Sequence, residues 1–269
     1  MNGQRLWALI RKDWKELARN SQALAPMVIV PLIFCVIMPI VVLTLGQNPE
    51  VASQIQGMAA FLQALPEGIL PAGATEQQQM VYAVVVYFFA PFFLLIPLMV
   101  ASVIGSSSFV GEKERRTIEG LLYTPLTDRE LVLGKILAAL VPSVAVSWLA
   151  FVVYAVIVNS VGGPLFGGLF FPTPTWLLMM LVLVPLMGFL GVSLIVAVSQ
   201  RAKTMQSAQG SAVFLVLPIV ALVISQSTGA VLFGTPVVAL MSLLVAIADL
   251  VIFLLVVRHF GRERILTRL

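Results

Sequence analysis

Six apolar runs dominate the pattern of this chain: residues 23–46, 80–104, 131–159, 176–199, 207–224 and 231–257. Helices of this length reach across a hydrocarbon layer of ~30 Å at 1.5 Å per residue. Between and beside them lie polar segments with a pattern of their own. Residues 4–20 place Leu6, Trp7, Ile10, Trp14 and Leu17 on one helical face, with Arg11, Lys12, Lys15 and Arg19 on the opposite side. A helix so divided lies in the headgroup plane with its Trp rings at the boundary, and it has no cleavage site of a signal peptide. Interfacial anchoring is the plain reading, with Trp7, Arg11, Trp14 and Lys15 as its anchors; a share in gripping a cytosolic partner is the sharper one.

The segment 47–79 carries Glu50, Glu67 and Glu76 but no Lys or Arg. Val51, Ile55, Met58, Leu62 and Leu65 share one stripe within it, which predicts a short amphipathic helix on the outer leaflet or over the mouth of the spans. Residues 160–174 read as a Gly/Pro-rich loop, where Gly163 and Gly167 form a GxxxG without an apolar 20-residue context. The segment between the last two runs is weakly polar and leaves room for a re-entrant turn.

Between the second and third runs lies GEKERRTIEGLLYTPLTDRELVLGK, residues 111–135, the densest cluster of charge in the chain. Ile118, Leu121 and Leu122 share a stripe, and Glu112–Arg116 and Arg115–Glu119 are pairs of opposite charge at i,i+4. Pro125 ends this helix, and Thr127 to Glu130 has the form of a capping box that opens the next one. The island is either a protein-docking helix or a solvated loop kept out of the bilayer by its charges.

Composition adds the class. The chain has 269 residues, 60% hydrophobic and 10% charged, where soluble domains carry about 25% charged residues. All 16 Lys and Arg fall before the first run, in the island, at Arg201 and Lys203, or after the sixth run. That distribution is a strong positive-inside signal, with six spans and both termini in the cytosol. One Cys and one His exclude a disulfide framework and multi-ligand Cys/His metal sites. Gly134-Lys135 lacks the other residues of a phosphate-binding loop, and no HExxH or GxSxG occurs. The sequence thus offers no catalytic residues, no metal site and no bound cofactor.

The one ionisable residue deep inside a span is Asp249, about 13 Å from the inner boundary, with Ser242 on the same face. A carboxylate there faces protein or water rather than lipid. It serves as a cation or proton site or part of a translocation path, or it is an acid bonded to a neighbouring helix.

The amphipathic first helix, the six spans and the island with its Gly, acids around a base, Thr-x-Glu, Leu-Leu, Pro and Gly-Lys together resemble the type-2 ABC-transporter permease family. The resemblance implies an all-α polytopic fold: an N-terminal interfacial helix (1–22), a six-span domain (23–269), a cytosolic coupling loop (105–130) and an extracytoplasmic loop (47–79). It implies that Glu112, Glu114, Arg115, Arg116, Thr117, Glu119, Leu121 and Leu122 contact a separate ATPase subunit. Two such subunits, carrying ATP and Mg, and a second permease copy or paralogue complete the exporter in the plasma (inner) membrane, with lipid but no nucleic acid as a further partner. Two other classes remain open at this stage: a proton-coupled secondary transporter using Asp249, and a non-transporting membrane anchor or sensor.

Overall fold

A computed structural model describes residues 3–19, 21–46, 62, 73–114, 128–199, 202 and 204–259. Among the described residues there is no strand, and six helices are long and apolar enough to cross a membrane. The interfacial helix α1 is Gly3–Ala18. The first span, α2, comprises Ser21–Leu32, Ile33–Ile37 and Met38–Leu45. The others are α3 (Glu76–Gly111, running on as Glu112–Glu114), α4 (Asp128–Phe166), α5 (Pro174–Ser199), α6 (Met205–Ser227) and α7 (Thr235–His259). The helix expected at 51–65 lies outside the described residues, apart from Leu62.

Several helices outrun the apolar pattern, each for a local reason. α3 begins at Glu76 because Thr75 and Gln78 form a reciprocal capping box: the Gln78 N–H donates to the Thr75 hydroxyl and the Thr75 N–H to the Gln78 side chain. At its other end α3 stays helical from Gly105 to Gly111, all of it buried but the half-buried Ser107, where the sequence predicts a loop from 105. α4 starts at Asp128, in keeping with a cap just before it, and Thr127 itself lies outside the described residues. It continues through Gly162, Gly163 and Pro164 to Phe166, into the stretch read as loop. Gly162 makes that possible, since a Cβ there would meet the Phe170 ring at 3.0 Å and Leu43 at 3.1 Å. Gly167 then turns left-handed (φ 75°), and the Gly168 N–H reaches back to the Gly163 carbonyl. Asn159 fixes the following loop by accepting from the Phe170 and Phe171 N–H groups and donating to the Phe171 carbonyl. α6 and α7 are joined by a tight turn at 228–234 rather than a re-entrant element.

α3 is the centre of the bundle. Of its most apolar window 78% is buried, against 17% for each of α2, α6 and α7. It packs on α4, α5 and α6, and the outer faces of the remaining spans show Leu, Val and Ile to the surroundings, as lipid contact requires.

Four π-helical turns interrupt these helices, at Ile33–Ile37, Val84–Phe88, Ser107–Gly111 and Met179–Leu183. Pro91, which has no N–H to donate, follows the second of them, where the Phe89 N–H bonds five residues back to Val84. A widened turn swings carbonyls off the helical ladder, and in hydrocarbon no water can meet them. Side chains of other spans do so. Tyr154 Oη donates to the Val85 carbonyl at 2.6 Å and Trp176 Nε1 to Val86 at 2.7 Å. Trp148 Nε1 donates to Met180 in the fourth turn at 2.9 Å. Tyr154 and Trp176 are fully buried, stack at 5.2 Å and close around Phe93.

Removing one of these donors leaves a buried carbonyl unmet, which costs about 1–3 kcal/mol. Tyr154→Phe is therefore expected to lower stability by that amount with the ring packing kept, measurable as an earlier thermal transition of the detergent-solubilised protein; an unchanged transition would show that the carbonyl finds another partner.

Candidate functional site

The third π turn lies where α3 leaves the membrane, and a cation lands on it. Lys135, in the second turn of α4, donates to the Ser108 carbonyl and lies 3.3 Å from the Ser108 hydroxyl. Its side chain is 4% exposed, so an unpaired ammonium there is not sustainable. Glu112, equally buried one turn on, supplies the counter-charge through Oε2. The Lys135 ammonium also rests 5.4 Å over the Phe109 ring.

Glu112 is shared. Its Oε1 accepts from Lys12 of α1, which also lies 3.4 Å from Glu16 and 3.7 Å from Asp13. Asp13, 5% exposed, accepts from the Ser108 hydroxyl at 2.6 Å. Three elements, α1, α3 and α4, thus meet in one polar knot where the island begins. Trp14 reinforces it by donating from Nε1 to the Ala138 carbonyl of α4 at 2.9 Å, and Leu9 packs on Leu131. Asp13, Glu16 and Glu112 bring carboxylate oxygens within 4.8 Å of one another, but the cation among them is the Lys12 ammonium.

Burial depresses the Lys12 ammonium, yet the hydrogen bond to Glu112 and the charges of Glu112, Asp13 and Glu16 outweigh it and hold the group above its ordinary value. Asp13 is raised above the usual carboxylate range by burial; Lys135, the Ser108 hydroxyl and Lys12 pull it down, and Glu112 adds to the rise. The two differ in sign. Lys12 adds stability that is complete below the ordinary lysine range and fades as pH climbs through its raised value, whereas Asp13 takes stability away as it ionises.

The fate of the expected site residues is mixed. Trp7 is 55% exposed and meets Trp14 edge to face at 5.7 Å, while Arg11 and Lys15 are exposed. α1 is more than a surface float, because Leu9, Ile10, Asp13 and Leu17 are buried and Lys12 turns inward instead of joining Arg11 and Lys15 outside. Glu114 is exposed, and its Oε2 accepts from the Met205 N–H at the start of α6 at 3.0 Å. Arg115, Arg116, Thr117, Glu119, Leu121 and Leu122 lie outside the described residues. Asp249 is 4% exposed on the face of α7 turned away from its exposed Leu and Ile residues, and neither carboxylate oxygen has a hydrogen-bond partner among the described residues. Ser242, on that same face, donates to the Val238 carbonyl.

Lys12, Asp13, Ser108 and Lys135 were absent from the sequence-derived site. A signal existed for one of them: Lys135 stands inside an apolar run, and a cation there demands an acid, for which Glu112 at the end of the preceding span is suited.

The two kinds of joint differ in strength. Removing one member of a buried pair costs about 3–5 kcal/mol, whereas losing a helix N-cap costs about 0.5–2 kcal/mol. Lys135→Met is expected to fall in the larger class, read as a loss of folded yield or a large drop in thermal stability. Raising the pH beyond the ordinary lysine range of about 10.4 and on through the raised value of Lys12 should loosen α1, seen as increased quenching of Trp14 by an aqueous quencher; quenching that stays flat from neutral pH across that whole range would refute the pairing.

No curated protein matches the chain closely enough to narrow its activity. The family model described as ABC-2 family transporter protein matches residues 7–250, which takes in most of α1, the first five spans, the whole island and most of the sixth span. Such a match over most of the chain makes this multi-pass membrane protein a member of the ABC-2 transporter family, a permease of an ABC transporter.

Proposed function

We propose that this chain is the membrane-spanning subunit of an ATP-driven exporter, moved by a separate ATPase that docks on residues 115–122. The observation that supports the reading most is the continuity of α3. It passes from the bundle centre through the π turn into Glu112–Glu114 without a break, and the knot around Glu112 fixes that exit against α1 and α4. A force applied to the island is therefore delivered to the most buried helix of the protein.

In this reading both termini and the island lie in the cytosol of a cell whose inner membrane holds the protein, consistent with the placement of every Lys and Arg. Two permease copies, or a copy and a paralogue, flank the path, and two ATPase subunits below carry ATP and Mg. The chain itself binds neither. ATP-driven closure of the ATPases shifts the island as a rigid lever and switches access from inside to outside. Apolar or amphiphilic cargo suits the Leu-, Val- and Phe-rich spans.

A charge-reversed island tests this. The double variant Arg115→Glu/Arg116→Glu should fold as the parent does but lose at least tenfold of the vanadate-sensitive ATP hydrolysis that co-purifies with the chain. Full retention of that hydrolysis, or a reporter fused after Lys135 found outside the cell, would refute it. Asp249, buried and without a hydrogen-bond partner among the described residues, favours a second reading, a carrier driven by protons. Transport that survives ATP depletion, collapses with a protonophore and is abolished by Asp249→Asn would establish it in place of the first.

A further inference from the structure

The end of α3 is a fork. On one side Glu112 enters the buried knot with Lys12 and Lys135; on the other, Glu114 reaches α6. The second prong has three contacts in antiparallel register. Gln209 donates to the Ser106 hydroxyl at 2.9 Å. Met205 packs so tightly on Gly111 that a Cβ there would lie 2.9 Å from its sulfur. Glu114 Oε2 then takes the Met205 N–H. Thr204 and Ser207 close their own capping box one step away, so Glu114 meets a donor of the first turn that this box leaves over.

We propose that Glu114 is a positioning residue, not a contact to the ATPase: it clips the cytosolic end of α6 to the island, and this clip opens and closes during transport while the Glu112 junction holds. This rests on the permease reading above. The clip is a single exposed carboxylate, whereas in the junction a buried Glu112 is held by two ammonium groups, the buried Lys135 and the half-exposed Lys12. The span it holds is also among the least buried, which makes α6 a span that can swing without unpacking the centre. A shift of the island therefore yields first at Glu114, and α6 is released from α3 before α4 or α1 is.

Glutamine tests the idea because it keeps the acceptor oxygen and discards the charge. The full-length protein with its ATPase, in nanodiscs and with Cys35 replaced by serine, is compared as parent, Glu114→Gln and Glu114→Ala. Hydrogen exchange of the segment 204–209 is measured without nucleotide, and the distance between spin labels at Ala8 on α1 and Val213 on α6 is measured with and without ATP, Mg and vanadate. Glu114→Gln should match the parent in both. Glu114→Ala should exchange about fivefold faster, the effect of a typical lost cap, and show the nucleotide-bound distance already in its absence, with the ATPase still bound. Glutamine behaving like alanine together with loss of the ATPase would overturn the proposal in favour of a charged docking residue. Alanine that leaves exchange and distance unchanged would overturn it as well. A parent that holds no ATPase and shows no nucleotide response, with the alanine variant still exchanging faster, would refute the permease reading and the moving clip together, leaving a static cap.

Discussion

A backbone carbonyl in hydrocarbon must find a donor inside the protein, and this requirement organises the bundle. Three of the four π turns each present carbonyls that another span's side chain takes up. Within the spans the donors are a phenol and indoles, which bring bulk as well as an O–H or N–H. Beside the island the donor is an ammonium. The choice of Lys135 there has further effects, because a cation on the Ser108 carbonyl calls for Glu112, and Glu112 in turn holds Lys12 and with it α1. One widened turn thus leads to the attachment of the interfacial helix.

The knot and the clip share a short stretch of α3 but differ in what they can do. A buried acid held by two bases is costly to separate, because losing a partner leaves charge out of water without its counter-charge. An exposed carboxylate on a helix terminus is cheap to detach and re-form. Placing the two on residues 112 and 114 lets neighbouring side chains of one turn serve opposite purposes, holding α1 and α4 while remaining adjustable toward α6.

The six spans were legible because a lipid-embedded helix announces itself by composition. Their ends were less so. Polar residues such as Thr75 and Gln78 read as loop until their mutual hydrogen bonds are seen, and Gly162 reads as a breaker until Phe170 is found pressed against it. The π turns leave no trace in the pattern, since a helix that is apolar on every side has no periodic signal to be disturbed. Within the site, the faces of α1 were assigned from one helix in isolation, which put Lys12 among the outward bases; the partner that turns it inward lies 100 residues away on α3. Asp249 was read correctly as turned from lipid, because the cost of a carboxylate in hydrocarbon decides that much alone.

The stitching of Val85 and Val86 to Tyr154 and Trp176 also bears on how such proteins can be recombined. A chimera that imports the second span from a relative, to graft its cargo preference, transplants a helix whose unmet carbonyls are answered from the third and fourth. Those three segments form an inheritance unit and have to be exchanged together.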